Sequence, residues 1–406
     1  MSPVRRSLVL LLLLGCHPQP AVRHPEAAAT PAGGNGAPAP TAQAGGHAAP
    51  PAPKCTYTVR RLSAYGRGAM RPQIAAIADA FAVAWEETTD HRSIRVETFG
   101  LDAQPLGPSI EVADVSKSAA EPRLAASTDG DGFAVFWSVA HGDASTALTV
   151  RRIDRAGKPK SDAIPVVLAP GARALDAAST GTGYAVAWWN WSSTPHQLAV
   201  SFADKEGRAV GKPLPVTRAP SPDPTVDLMS GAALGKKAPT VLAWDEHIGD
   251  AEHVLIGELG RDRLEGRTDL GPGETPRFGA GVLIFERTAD ATLWSAPLDG
   301  ASPPVKLGDG HAPAAAPRGP RTTALCYLRD TDPSEERHVD ELLCGDLVDG
   351  KIADATRIAV EPRGIFGLHL AVAGDRIGVA WQAQSEDDTG VSFAALSCPD
   401  AGAKAP

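Results

Sequence analysis

Phe81-Ala-Val-Ala-Trp85 is a short apolar run closed by an indole, and the chain returns to it again and again. Phe133-Ala-Val-Phe-Trp137, Tyr184-Ala-Val-Ala-Trp188, Thr240-Val-Leu-Ala-Trp244 and Ile377-Gly-Val-Ala-Trp381 keep the pattern. Gly281-Val-Leu-Ile-Phe285 and Thr323-Ala-Leu-Cys-Tyr327 are weaker copies. The closing aromatics are spaced by 52, 51, 56, 41, 42 and 54 residues, a unit of about 49 that occurs seven times.

Around each run the residues follow one grammar. In the second copy, residues 122–127 read as a first strand, turned at Thr128–Asp131. Residues 132–137 are the aromatic-ended second strand, 147–153 alternate as a third, and 164–168 form a fourth after the turn Asp154-Arg-Ala-Gly157. The third copy repeats this with Tyr184–Trp189, Gln197–Phe202, the turn Asp204-Lys-Glu-Gly207 and Leu214–Thr217. Four short strands per unit, with no helical periodicity between them, predict an all-β chain folded as a seven-bladed β-propeller. The almost unbroken apolar second strand suits a position packed between neighbouring blades. The last copy supplies only Gly367–Ala373, Arg376–Gln382 and Gly390–Ser397. The missing fourth strand is expected from Thr56–Leu62, which resembles the third-strand segment Leu148–Ile153, so the N-terminal strand would close the ring. A two-sheet sandwich of similar strands is the alternative.

Over residues 56–398 the units resemble the Trp-ended propeller repeats of bacterial surface and periplasmic proteins, Gly-[Phe/Tyr]-x-Val-x-Trp followed by Asp-x-x-Gly. That resemblance speaks to architecture, because a propeller carries many functions. A second resemblance lies at the N-terminus. Arg5-Arg6 precede the apolar run Leu8–Leu14, and Leu13-Leu14-Gly15-Cys16 is similar to a bacterial lipobox. It implies cleavage after residue 15, lipid on Cys16 and, since His17 and not Asp follows, a place in the outer membrane of a Gram-negative envelope. A plain secretory leader is the alternative. Residues 17–54 hold 9 Pro, 12 Ala and 5 Gly without apolar periodicity, the composition of a disordered tether. His17, His24 and His47 lie in it as solvated residues. Residues 55–398 are then the propeller and 399–406 a disordered tail.

The chain of 406 residues carries 39 Lys+Arg against 48 Asp+Glu, a net charge of −9 that argues against nucleic acid as a partner. Contact with a membrane is expected through the lipid alone. With Cys16 reserved for lipid, four cysteines remain, and an oxidising envelope permits disulfides. Of three connectivities, the blade alignment selects Cys326–Cys344 within one blade and Cys55–Cys398 across the closing strands.

No nucleophile elbow, Walker loop, dinucleotide fingerprint or zinc-protease motif occurs. Ser127–Gly132 resembles a sialidase Asp-box or a calcium loop only faintly and is expected to be a turn. The loops after the aromatic-ended strands hold 19 of the 48 acidic residues, with His91, His141, His196, His247, His253 and His338 among them. Solvated loops collect charge without any function; the sharper expectation is an acidic face for a divalent cation or a basic polypeptide. Its best stretch is Asp245, Glu246, His247, Asp250, Glu252 and His253, since carboxylate and imidazole together suit divalent ions. Trp189 and Trp191 follow the conserved aromatic place of their unit and would give an apolar anchor for a protein or glycan, or else pack against a neighbouring loop. No cofactor is implied. The function expected is a lipid-anchored binding or scaffolding module, with a polysaccharide hydrolase or lyase in the central cleft as the alternative.

Overall fold

The computed structural model describes residues 55–63, 67–89, 91–113, 119–141, 145–169, 171–190, 197–217, 224–234, 236, 240–260, 262–331, 339–384 and 389–399. Cys16, the segment read as a tether, Trp191, His196, His338 and the tail from residue 400 on lie outside them. The described chain forms seven four-stranded antiparallel sheets, each a blade of a seven-bladed β-propeller. The innermost strands, in blade order, are Met70–Ile77, Ala119–Ala126, Ala172–Ser179, Val226–Ser230, Glu274–Phe278, His311–Pro317 and Ile365–Ala373. Each touches the next, and the seventh touches the first, so they enclose an axial channel.

The seventh blade is a composite. Thr56–Arg61 adds to its outer edge and pairs antiparallel with Thr389–Ser397, from Thr56 opposite Ser397 to Arg61 opposite Ser392. One step beyond that ladder, Cys55 and Cys398 form a disulfide; Cys326 and Cys344, directly opposite each other in blade six, form the second. All four cysteines lie in one apolar cluster at the junction of blades six and seven. Arg318 tightens the same junction. Its buried guanidinium pairs with Asp346 at 2.6 Å and also donates to the carbonyl oxygens of Asp375 and Cys398 in blade seven.

The repeat's sequence grammar has a physical reason at each place. The second strand, such as Ala80–Thr88, is buried along both faces because it is sandwiched between blades, which demands a continuous apolar run. Trp85, Trp137, Trp244 and Trp381 are at most 1% exposed. Gly132 and Gly183 open second strands where the partner strand's carbonyl comes so close that a Cβ would sit 2.1 Å from the Ile153 oxygen or 2.0 Å from the Ala203 oxygen. In the Asp-x-x-Gly turns, Asp154 Oδ1 accepts from the N–H groups of Ala156 and Lys158, and Asp204 Oδ1 from those of Glu206 and Arg208. Gly157 and Gly207 take φ of +82° and +90°, which a side chain would strain. Ser127–Gly132 is a turn as expected, its Gly130 N–H donating to the Ser127 carbonyl and its Gly132 N–H to Ser127 Oγ.

Candidate functional site: the axial channel

Each innermost strand places one residue opposite the residue that precedes the repeat's closing aromatic. Round the ring these are Gln73, Arg123, Asp176, Asp227, Arg277, Ala314 and His369, and all seven line a channel of about 820 Å³. Six of seven blades thus aim a polar group inward at one level, among walls otherwise dominated by Ala, Leu and Val. In five blades the register slips just before this position, and the residue two places earlier takes a positive φ: Arg71, Glu121, Thr275, Ala312 and Gly367. In four of these a proline stands between, at 72, 122, 276 and 313. Such a bulge bends the strand and re-aims the next side chain, here into the channel.

The ring side chains are fixed by backbone groups of neighbouring blades. Arg123 donates through Nε to the Leu175 carbonyl in blade three. Asp176 accepts the Leu228 N–H in blade four at 2.6 Å, and Asp227 accepts the Phe278 N–H in blade five at 2.6 Å. From blade seven, His369 Nε2 accepts from the Gln73 amide in blade one at 2.7 Å, with the ring nitrogen as acceptor because the amide nitrogen only donates. Arg277 donates to the Pro276 carbonyl at 2.8 Å within its own strand.

Burial governs the charge states. It raises Asp227 to about 7, with the Asp176 charge pushing the same way and Arg277 opposing. It raises Asp176 to about 6 against the opposing N–H groups of Leu228 and Ala177 and the Arg123 and Arg277 charges. Burial, then the charges of Arg277 and Arg123, holds His369 well below the ordinary imidazole range, so it is neutral. Among the described residues neither aspartate is in a salt bridge with Arg123 or Arg277; the four charges sense one another across the channel without closing into pairs.

A second tier sits one residue after the aromatic. Glu86, fully buried, accepts the Glu121 N–H of the next blade at 3.3 Å and pairs with Arg71 and Arg92 at 3.2 and 3.1 Å. Ser138 accepts from Ala174, Glu286 from Ala312 and Gln382 from Arg71, again in the next blade each time. These bonds satisfy the N–H groups of the bulged residues.

The described residues among the loop positions singled out from sequence fall on the same end of the ring but do not converge. Asp245, Glu246, His247, Asp250, Glu252 and His253 form one hairpin, in which Glu246 faces His253 and His247 faces Glu252. Strand alternation sends Asp245 and Glu246 to opposite faces of the sheet. Asp245 is buried and accepts the Thr225 N–H at 2.9 Å; Glu246 is buried against Trp244 Nε1 and Arg267. His247 pairs with Glu252 at 3.1 Å and His253 with Asp269 at 3.0 Å, while Asp250 is exposed in the turn. Among the described residues no three His, Cys, Asp or Glu side chains gather as a metal would require. Elsewhere on this end Glu87 pairs with Arg67 and Arg95, and Glu341 with Arg329 and Arg357, so arginines outside the loops after the aromatic-ended strands balance these carboxylates. Trp189 is buried at 8% exposure, not an exposed anchor.

The channel ring was not singled out from sequence. Its members share no residue type, and their distance to the closing aromatic varies from 8 to 17 residues. The recoverable signal is the proline one residue before Gln73, Arg123, Arg277 and Ala314.

No family model matches the chain, and no curated protein does. Among solved structures it is similar to a nidogen/laminin complex, at 12% identity and TM-score 0.41 over 66% of this chain and 89% of that one. It is similar to a prolyl endopeptidase at 16% and 0.46 over 84% of this chain, which spans about half of that enzyme, 47%. A neuraminidase-like protein of A/little yellow-shouldered bat/Guatemala matches at 8% and 0.45, over 84% of this chain and 98% of that one. At such identities the likeness is one of fold, and no chemistry is taken from it.

Proposed function

We propose that this protein is a binding module of the bacterial cell envelope, anchored by lipid on Cys16 and taking its ligand in the axial channel. One observation carries the reading: six blades present polar groups to one channel, Arg123, Asp176 and Asp227 held by backbone groups of the next blade, Gln73 and His369 by each other, and Arg277 by its own strand. Groups fixed in advance lose little freedom when a ligand arrives, which is the economy of a preorganised site. The basic polypeptide and the divalent cation expected from the loop hairpin have less support, because those carboxylates and imidazoles are already engaged with each other or with arginine.

A second reading, a glycan hydrolase or lyase, rests on the pair Asp176 and Asp227. Burial raises the proton affinity of both carboxyls, Asp227 above Asp176, and a carboxyl kept protonated beside a second one is what general acid catalysis uses. It predicts cleavage of envelope polysaccharide that disappears in Asp176→Asn and in Asp227→Asn.

The anchor and the binding site are tested together. The full chain, extracted from membranes in detergent and immobilised, is exposed to envelope extract, and proteins and small molecules in the eluate are identified by mass spectrometry. A compound retained by the wild type and lost with Arg277→Met supports channel binding; an identical eluate from both ends that reading. Cys16→Ser should leave the fold intact and move the protein to the soluble fraction after a salt wash. Retention in the membrane fraction would refute the lipid anchor.

A further inference from the structure

The order of charges round the channel is not arbitrary. Blades two to five contribute Arg123, Asp176, Asp227 and Arg277 in succession, an arc reading plus, minus, minus, plus. The opposite wall is Ala314 with the neutral His369–Gln73 pair, so charge is confined to one side. Elsewhere among the described residues, the buried carboxylates Glu86, Glu341 and Asp346 are each in direct contact with arginine. In the arc they are not. Asp227 spends one oxygen, Oδ2, on the Phe278 N–H, and Arg277 spends one N–H on the Pro276 carbonyl, which leaves an oxygen and several donors toward the channel.

We infer that the arc recognises a small zwitterion in which one ammonium group is flanked by two carboxylates, the chemistry of an acidic α-amino acid. The inference rests on the channel-binding reading above and gives it a ligand class. The ammonium lies between Asp176 and Asp227, where it relieves the repulsion of two desolvated carboxylates. One ligand carboxylate meets Arg123 and the other Arg277, and guanidinium–carboxylate contacts of this kind are the strong, geometrically selective ones. A dicarboxylate without the ammonium leaves the aspartates facing each other, and a simple cation leaves both guanidiniums unanswered. The cavity's 820 Å³ also holds a short peptide beginning with an acidic residue, which presents the same three charges.

The test is calorimetric titration of the full detergent-solubilised chain with L-glutamate, L-glutamyl-L-alanine, glutarate and L-lysine at pH 7.5. The expectation is that L-glutamate, the dipeptide or both bind, with glutarate and L-lysine at least about tenfold weaker, the scale of losing one charge-assisted contact. A tighter dipeptide assigns a peptide end as the source, and a tighter L-glutamate the free amino acid. Arg277→Met and Asp227→Asn should each weaken binding at least about tenfold, and Arg277→Lys should recover part of it, as partial charge rescue does. Among the described residues the hydrogen bond of the Arg277 side chain is to its own strand's carbonyl, so its replacement is expected to leave the fold standing, which an unchanged melting temperature checks. Equal affinity for glutarate, equal affinity for lysine, or no binding of either zwitterion at 10-millimolar scale overturns the inference. If the extract experiment still yields an Arg277-dependent compound, the channel-binding reading survives that failure.

Discussion

Replacing Cys55 and Cys398 together by Ala should weaken the protein more than replacing Cys326 and Cys344. The two cross-links differ mainly in the chain they enclose. Cys55–Cys398 spans 343 residues and Cys326–Cys344 spans 18. In the chain-entropy treatment, loops of those lengths restrict the unfolded state by about 6 and about 3 kcal/mol, both upper values. The outer pair also guards the one place where the ring is closed by non-consecutive chain, since blade seven joins Thr56–Arg61 to the last three strands. Equilibrium urea unfolding of both double variants beside the wild type measures the difference through the midpoint at constant slope. Hydrogen exchange should add a signature. In the Cys55/Cys398 variant the amides of Thr56–Arg61 and Thr389–Ser397 should exchange by local opening while inner strands of the other blades stay protected. If that variant loses no more stability than the Cys326/Cys344 variant, ring closure does not depend on the seam and the reasoning fails.

Asp227→Asn should flatten part of the pH dependence of stability. The fold raises this carboxyl to about 7, so it favours the neutral form; its contribution is fully present below the ordinary carboxylate value and is lost as pH rises to about 7. Asn can still accept from Phe278, so the variant should gain on the wild type from pH 4 to pH 7.5 in paired melts, with the channel groups Asp176, Arg123, Arg277 and His369 common to both; a constant difference over that range refutes it. Gly183→Ala drives a Cβ to 2.0 Å from the Ala203 carbonyl oxygen and should cost about 3 kcal/mol or more, as a strand-separating overpack does. Gly181→Ala, in an open turn with φ +83°, should cost only about 1–2, and equal losses in urea melts would show the close approach is relieved elsewhere.

The fold was legible because its strongest constraint repeats. A second strand buried on both faces tolerates only apolar residues, so Phe81–Trp85 and its copies kept a visible pattern. The disulfides were legible for a related reason: once strands are aligned, Cys326 and Cys344 fall opposite each other. The channel ring was hidden because the constraint there is on position, not residue type. Gln, Arg, Asp, Ala and His all serve, and bulges and uneven turns shift their spacing from the aromatic. The loop hairpin misled in the opposite sense. Residues adjacent in sequence, such as Asp245 and Glu246, suggest a cluster, yet a strand parts them onto different faces.

In the channel ring and the tier above it, the side chains that bridge blades reach one way round the ring. Arg123 reaches into blade three, Asp176 into four, Asp227 into five and His369 into one, as do Glu86, Ser138, Glu286 and Gln382 in the tier above. A unit of this kind carries a hand to offer forward and a hold for the one behind. Copying a unit in the gene adds one of each, and deleting a unit removes one of each. The number of blades can therefore drift by duplication or loss without stranding a polar group, so long as the circle shuts. A linear fragment always ends with one offer unanswered. That bias toward closed circles is written into every copy, independently of the disulfide that finally locks the ring.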